Sequence, residues 1–539
     1  MMKKFFLQNQ FIKHNKKYFK FQKKFKNQIL VEFNSWAPLH ISNSYLLKTL
    51  QQKYKSNIVA YAGYTLISSP ISRNIINKFK WFFGSFLPFK NFGIYKSMGC
   101  IKFIWPEFDN KNEVERLYNR CLKRIKTKRD FENLKINNIW VGDIIYDSYL
   151  KYFHRPTIDL KDMSFKKYLK NSIELFLFWE NYFKKNKVKA IIYSHAVYLL
   201  ALPARIAIQK GIKAYVCHSE YLYSLNKKNL FARAEFLDAN KDLKKINEKI
   251  LDLGIKNAKK RIKLRLSGKK AIDIWWAKKS SFGKINKKRV LNQNNKFKFL
   301  IANHSFLDSP HVYGKHLFPD FYEWLNFLGK ISDKSDCEWY IKTHPYEANF
   351  EKGYTIKIIN SLLKKYPKIK LIPSKTSHNQ IVKEGINCVL TVLGSVGLEY
   401  AAMNIPVINA SKKNPHIDFD FNIHPSSVKQ YTQLLMNPKK IKIKIDKLQI
   451  YKYYFYMNVF FTRNWLFKDY PKMERKLKSQ YNPEVYKYWI DNEFSVSGHE
   501  KILANLNNFI DSNDYRIGYK FIDRSIIDDI INYEKEMKI

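Results

Sequence analysis

The chain has 539 residues, enough for two large domains, and its 45% hydrophobic and 16% aromatic content excludes a largely disordered protein. Its formal net charge is +51, from 97 Lys and Arg against 46 Asp and Glu. AT-rich coding bias and an acidic partner both account for such an excess, and either way the surface attracts anionic lipid, polyanionic glycan or nucleic acid.

The N-terminal segment 1–27 interleaves lysines with aromatic residues. It lacks the continuous apolar core and cleavage site of a signal peptide, and no stretch reaches the roughly 18 apolar residues that span a bilayer. Two interpretations stay open for it, a helix lying on an anionic membrane surface and a solvated basic arm. The five cysteines show neither CxxC pairs nor metal-ligand spacing with histidines, which favours a reducing cytoplasm.

The pattern of residues 28–285 predicts a first Rossmann-like domain with helical insertions. Its apolar runs predict strands at 28–33, 57–61, 190–194 and 214–217. His195 and His218 directly follow the last two strands, at the sheet edge where open α/β sheets place their ligands. The aromatic stretch 81–89 is either an exposed loop that binds a membrane or acceptor, or a satellite core.

Several polar side chains of this domain could act as a general base, since a carboxylate or histidine needs only hydrogen-bond reach of an acceptor hydroxyl. They are Asp143, Asp147, His195, His218 and Glu220. Gly142-Asp143 begins a predicted helix, where an Asp pair at i, i+4 also has purely structural uses. Asp143, His195 and His218 are the predicted catalytic residues.

Residues 286–445 predict a second Rossmann-like domain, preceded by a lysine-rich helical stretch and a linker. The predicted strands are 296–302, 338–342, 369–372, 388–393 and 405–408. Their alternation with helical patterns implies a mostly parallel sheet. The remaining residues, 446–539, are aromatic and helical and are predicted to pack back on the domains.

Polar clusters follow two strands of the second domain. Asn303 and His304 follow the first of them, and hydrogen-bonding roles are favoured there over a metal site because the nearby Asp308 and His311 have no further ligand beside them. Lys342 and His344 follow the next strand, where they could neutralise and hydrogen-bond a diphosphate.

A third cluster lies in the stretch 388–410, where an apolar strand leads into a Gly-rich turn and a helix. Backbone N–H groups at such a helix start favour an anion. Glu399 is unfavourable beside a phosphate but suited to accept hydrogen bonds from sugar or ribose hydroxyls, which indicates a nucleotide-sugar. The predicted donor-binding residues are Asn303, His304, Lys342, His344, Gly394, Ser395, Gly397 and Glu399.

The chain resembles the bacterial surface and capsular polysaccharide biosynthesis proteins, a GT-B-type glycosyltransferase-like group. The similar segments are VGDIIYDSYLK (141–151), ANHSFLDSPH (302–311), LFPDFYEWL (317–325), EWYIKTHPYE (338–347), TVLGSVGLEYAAMNIPVI (391–408) and NPHIDFDF (414–421). The resemblance implies two Rossmann-like domains, with donor bound mainly to the second, acceptor to the first, and a C-terminal helix crossing back. It also implies no metal, and the DxD letters at 418–420 are discounted because they follow the nucleotide motif.

The leading hypothesis is therefore a cytoplasmic, membrane-associated glycosyltransferase that builds a capsular or lipopolysaccharide glycan. Its expected partners are a nucleotide-sugar donor, a glycan or glycolipid acceptor and an anionic membrane surface, with no cofactor or metal. Alternatives are a polyol-phosphate transferase using a CDP-activated donor, an epimerase that turns over donor without acceptor, and a polyanion or nucleic-acid binder. No sequence signature of a nucleic-acid-binding module supports the last.

Overall fold

The computed structural model describes residues 2–22, 24–63, 75–87, 90–269, 280–343, 353–461, 465–466, 477, 482–492 and 496–538. The chain divides into two compact units, each assembled from separate segments. The first unit comprises Met1–Ser148, Asp159–Ala232 and Phe461–Arg524. The second comprises Tyr149–Ile158, Arg233–Phe460 and Ser525–Ile539.

The first unit is built on a mostly parallel sheet. Its strands are β1 (Asn27–Phe33), β2 (Ser56–Ala62), β3 (Cys100–Ile104), β4 (Lys135–Ile136), β5 (Ile139–Trp140), β6 (Val188–Tyr193), β7 (Lys213–Cys217) and β8 (Leu222–Leu225). Six of them form one sheet in the order β3-β2-β1-β6-β7-β8, in which β8 alone runs antiparallel. The order reverses between β1 and β6, so the carboxyl ends of these two strands form a topological switch point, where open α/β sheets bind ligands.

The second unit has a fully parallel sheet. Its strands are β9 (Lys298–Ala302), β10 (Glu338–Lys342), β11 (Ile369–Ile372), β12 (Cys388–Thr391) and β13 (Val407–Asn409), in the order β11-β10-β9-β12-β13. Alternate residues of β9 enter two different hydrophobic cores, Phe299 and Ile301 one core and Leu300 the other. This burial on both faces explains the apolar runs that predict these strands. The switch point of this sheet lies between β9 and β12.

The helices are numbered in chain order. They are α1 (Met2–Tyr18), α2 (Ala37–Tyr54), α3 (Ile75–Phe86), α4 (Lys90–Ser97), α5 (Lys111–Arg124), α6 (Lys128–Glu132), α7 (Gly142–Phe153), α8 (Met163–Lys185), α9 (Leu202–Gln209), α10 (Ala239–Leu243), α11 (Glu248–Leu266), α12 (Phe321–Lys334), α13 (Tyr354–Lys365), α14 (His378–Lys383), α15 (Val396–Ala402), α16 (Val428–Met436), α17 (Lys447–Phe455), α18 (Glu484–Asn492), α19 (Val496–Ser512) and α20 (Ile526–Met537).

The N-terminal residues form α1, which packs on the first unit along one face. Leu7 and Phe11 are buried, and the Phe11 ring stacks on Tyr486 of α18 with 4.5 Å between ring centroids. Asn15, also buried, donates a hydrogen bond of 3.2 Å to the Ser44 hydroxyl of α2. The basic segment is therefore a helix with one buried face.

The predicted fold class is confirmed, with two Rossmann-like α/β units and additional C-terminal helices. Every strand predicted from an apolar run is present. The sequence does not predict β3, an edge strand that exposes Ile101 and Lys102, the two-residue β4, or β8, a short antiparallel edge strand. Within the described ranges, no helix has both the length and the apolar character needed to cross a bilayer.

Candidate functional site

His304 connects the two strands that flank the switch point of the second sheet. It follows β9, and its Nε2 accepts a hydrogen bond of 3.2 Å from the backbone N–H of Val392, just after β12. The same nitrogen lies 3.0 Å from the Thr391 hydroxyl. Because Nε2 is an acceptor, the proton of the neutral ring is on Nδ1. The ring also stacks on Phe321, at 4.5 Å, so its position is fixed.

Asn303 joins β9 to β10 at the same edge. Its backbone N–H donates to the Lys342 carbonyl at 3.1 Å, and its side-chain amide donates to the His304 carbonyl at 2.7 Å. Its Oδ1 is buried and accepts no hydrogen bond from the described part of the chain. A buried acceptor without a partner costs about 1–3 kcal/mol, so this oxygen would gain from a ligand donor.

Lys342 is the last residue of β10 and is almost fully buried. Its Nζ donates to the Ser374 carbonyl at 3.0 Å. Burial lowers the pKa of Lys342 to about 8, although the charge of Glu399 offsets part of the effect. The lysine is therefore charged at neutral pH in surroundings that disfavour its charge, and an anionic ligand would stabilise it.

Glu399, in the first turn of α15, forms an ion pair with Arg265 of α11. Arg265 also lies 3.3 Å from the Ser395 hydroxyl. Burial raises the pKa of Glu399, but the charge of Arg265 and the hydrogen bonds outweigh it, so the net pKa is below the ordinary value. The sequence reasoning missed Arg265, whose only signal is an arginine within a lysine-dominated helix.

His378, at the start of α14, completes the group. Its Nδ1 lies 2.7 Å from the Tyr400 hydroxyl. Burial and the nearby charge of Lys342 lower the pKa of His378 to about 3, so the ring is neutral at physiological pH. With Lys342 and Arg265 as cations and Glu399 as the carboxylate, the cluster carries one net positive charge, which suits an anion.

Gly394, in the turn before α15, and Gly397, in the first turn of α15, are needed for different physical reasons. Gly394 has a φ of +107°, a conformation that other residues rarely adopt. A Cβ on Gly397 would lie 2.5 Å from the His416 ring and from Asn422, so this glycine lets α15 pack closely on the 414–422 loop. Donor contact by either residue stays a prediction.

The switch point of the first sheet contains a buried carboxylate that the sequence reasoning missed. Oε2 of Glu32, in β1, accepts hydrogen bonds from the backbone N–H of Ser194 at 2.7 Å and from its hydroxyl at 2.8 Å. Burial raises the pKa of Glu32 to about 7, against the opposing effect of both hydrogen bonds. An acidic residue inside the apolar run ILVEF was the available signal.

His195 continues this hydrogen-bond chain, because its Nδ1 lies 2.9 Å from the Ser194 hydroxyl. The hydroxyl donates to Glu32, so it accepts from the His195 Nδ1–H, which leaves Nε2 as the basic nitrogen. Trp36, in the turn after β1, packs edge-on against both His195 and His218, with centroids 5.3 and 6.1 Å away. The two predicted histidines therefore lie around one tryptophan.

The other two predicted catalytic residues of this unit, His218 and Asp143, are held in place by neighbouring groups. The His218 ring is buried and stacks on Tyr221, at 5.1 Å, while its Nδ1 accepts from the Glu220 N–H at 3.3 Å. Asp143 is buried in α7 and accepts hydrogen bonds of 2.8 and 3.3 Å from Arg205. This bidentate pair holds the Asp143 side chain in place, and a catalytic role for Asp143 stays a prediction.

His344 lies outside the described residues, so its predicted donor contact stays untested. In the part of the chain that is described, no three His, Cys, Asp or Glu side chains are grouped as a metal ion would require. The structure thus brings Asn303, His304, Lys342, Ser395 and Glu399 to one edge of the second sheet.

No protein-family model matches the chain, and no curated protein matches it by sequence. Similar solved structures include the Methanocaldococcus jannaschii UDP-GlcNAc 2-epimerase in complex with UDP-GlcNAc and UDP, at 12% identity, TM-score 0.25, and coverage of 79% of this chain and 98% of that one. The Neisseria meningitidis UDP-GlcNAc 2-epimerase has 13% identity, TM-score 0.22, and coverage of 84% and 100%. The E. coli ADP-heptose LPS heptosyltransferase II has 10%, 0.19, and 76% and 99%. TM-scores this low carry no argument about activity, and the fold class rests on strand order.

Proposed function

We propose that this chain is a glycosyltransferase that takes its sugar from a nucleotide-activated donor. The observation that carries the proposal is a cluster at the carboxyl edge of the second sheet, in which, among the described residues, Arg265 pairs with Glu399 and the buried Lys342 feels the charge of the same carboxylate. Net positive charge beside strand-end hydrogen-bonding groups suits the diphosphate of such a donor.

Lys342 is assigned to the donor diphosphate. An anion beside Nζ offsets the burial that lowers the pKa of this lysine. During transfer the bond between the anomeric carbon and the diphosphate oxygen breaks, and the electron pair leaves with the nucleotide. A fixed ammonium group at that oxygen stabilises the charge where it develops.

Arg265 reduces the charge repulsion expected between the Glu399 carboxylate and a donor phosphate. Its ion pair cancels the charge of Glu399, so the carboxylate no longer repels the diphosphate. Glu399 can still accept a hydrogen bond from a sugar or ribose hydroxyl, the role that the sequence predicts for it. The buried Oδ1 of Asn303 supports a second such contact.

Acceptor activation is assigned to His195 of the first unit. The acceptor hydroxyl loses its proton as its oxygen bonds to the anomeric carbon, and His195 Nε2 is the proposed base for a hydroxyl bound to this unit. The imidazolium that results is stabilised through the Ser194 hydroxyl by the carboxylate of Glu32. The acceptor is proposed to be a growing surface glycan, capsular or lipopolysaccharide, made on the cytoplasmic side of the membrane.

The test combines donor binding with turnover in the full chain. Calorimetric titration with UDP-, GDP-, CMP- and CDP-linked compounds is expected to identify a bound donor, with affinity falling about tenfold or more in Lys342→Met, because a hydrogen bond to a charged group is worth about 1.5–3 kcal/mol. The matched control is Lys370→Met, an exposed lysine of β11. Unchanged affinity in Lys342→Met, or no binding to any compound, contradicts the proposal.

His195→Ala should bind that donor as tightly as the wild type does. Its rate of transfer to an added acceptor glycan should fall by about 100-fold or more. The products distinguish the alternatives. An isomerised donor formed without acceptor indicates an epimerase, and transfer of a polyol phosphate from a CDP-linked compound indicates the second transferase class.

A further inference from the structure

The helix α3 of the first unit carries an apolar face directed to solvent. Its exposed side chains, each more than half accessible, are Ile75, Ile76, Phe79, Phe82, Phe83 and Phe86, followed by Leu87. At 3.6 residues per turn they span an arc of roughly 140°. Rings on this face contact one another, Phe82 and Phe86 with centroids 4.8 Å apart. A contiguous aromatic face of this kind marks an interaction site.

The opposite face of α3 fixes the helix on the unit, so the exposed face cannot be turned inward. Trp81 is buried, with its ring centroid 4.9 Å from that of Phe33 and 5.3 Å from that of Phe92. A Cβ on Gly84 would lie 2.3 Å from the Phe92 ring, so the glycine permits close contact with α4. The orientation of α3 is therefore set by its inner residues.

Lysines border the apolar arc on both sides. On the helical wheel Lys78 lies roughly 40° beyond one edge and Lys80 roughly 20° beyond the other, and both are exposed. Lys78 pairs with Glu107. The sequences of α1, α3 and α4 contain no Asp or Glu, and their lysines number five, two and two. The helices adjoin one another, with Gln8 of α1 within 3.5 Å of Asn91 of α4 and Lys96 of α4 donating to the Phe86 carbonyl of α3 at 2.9 Å, so lysines are in excess around α3.

We propose that the outer face of α3 docks on a lipid bilayer with anionic headgroups, with its phenylalanines in the acyl boundary and its lysines at the phosphates. The charge decides for lipid over a second copy of the chain. A symmetric dimer through this face would bring two lysine-rich, carboxylate-free helix groups together, and like charges oppose that contact. The proposal does not depend on the nucleotide-sugar function.

Vesicle flotation of the full chain tests the proposal. The chain should float with vesicles of equal parts phosphatidylglycerol and phosphatidylcholine, and much less with phosphatidylcholine alone. Phe79→Ser/Phe83→Ser should lower partitioning about tenfold or more, because each ring loses its burial. Lys80→Gln should lower it about fivefold, as expected for one lysine at an anionic surface.

The matched control is Ile527→Ser/Ile531→Ser, two exposed apolar residues at the same spacing on α20 of the second unit. It should bind vesicles as the wild type does. Circular dichroism confirms folding, and the single variant Phe83→Ser replaces the double variant if the latter unfolds. If salt removes wild-type binding completely and the Phe variants bind as the wild type does, the binding is non-specific attraction by the net charge. That result overturns the proposal. The proposal is also wrong if the wild type forms a dimer in light scattering that the Phe variants lose, while the Phe variants bind vesicles as the wild type does.

Discussion

Replacing Lys342 by Met tests two effects of the buried charge separately, the stability that it costs and the donor affinity that it contributes. The lysine lies at the carboxyl end of β10, almost fully buried, with one hydrogen bond to the Ser374 carbonyl. Methionine has a similar length and needs no partner. We therefore expect Lys342→Met to be more stable than the wild type at neutral pH while binding donor less tightly.

The magnitude follows from the pKa of Lys342, which burial lowers from 10.5 to about 8. A shift of this size corresponds to about 3 kcal/mol at 1.36 kcal/mol per unit. Since the folded pKa is depressed, the wild type gains this stability as pH rises from 8 to 10.5 and lacks it below 8. Loss of the Ser374 hydrogen bond costs about 1 kcal/mol. The variant should exceed the wild type by about 2 kcal/mol at neutral pH. This difference should fall to zero within the window and reverse, with the wild type about 1 kcal/mol more stable above pH 10.5.

Amide hydrogen exchange of β9, β10 and β12, measured across this pH range, follows the second unit alone. The control Lys370→Met, on an exposed lysine, should show no pH-dependent difference from the wild type. If Lys342→Met is less stable than the wild type at neutral pH, or if the difference between them does not change with pH, the burial argument for Lys342 is wrong.

Two further predictions concern single side chains. The folded pKa of Glu32 is raised from 4.5 to about 7, so the wild type should lose about 3 kcal/mol of its free energy of unfolding as pH rises from 4.5 to 7. Glu32→Gln should not show this loss when thermal unfolding is followed against pH. Parallel pH profiles of the two proteins would contradict the prediction. Gly397→Ala should destabilise the second unit by about 1–3 kcal/mol through overpacking against His416. Hydrogen exchange measures it, and Gly283→Ala, whose added Cβ meets nothing closer than 3.9 Å, is the control whose equal effect would refute the packing explanation.

The strands and the shared sheet edge could be predicted because their signals are local. A run such as Cys388–Thr391 is buried on both faces and therefore apolar at every position. Parallel strands end at one edge, so His304 after β9 and the Gly394 turn after β12 were expected to be neighbours. The contact between His304 and Val392 has that origin.

The remaining site features depend on pairings between residues far apart in sequence. Arg265 meets Glu399, and Glu32 meets Ser194, across more than a hundred residues each, and no local pattern specifies either pair. The bidentate partner of Asp143 is likewise a distant arginine. Helical periodicity in α3 shows an apolar stripe but not which side is packed, because Trp81 and the exposed phenylalanines have similar hydrophobicity.

The division of both units into non-adjacent segments constrains how this protein is made. The last strand of the first sheet, β8, has its outer edge covered by residues near the C-terminus. The Ser224 N–H donates to the Tyr515 carbonyl at 2.9 Å, and the Ile517 N–H donates to the Leu222 carbonyl at 3.0 Å. During synthesis, β8 leaves the ribosome almost three hundred residues before this cover, as about 290 residues separate Ser224 from Tyr515 by their numbers. Until then it presents an open strand edge, the kind that pairs with other chains.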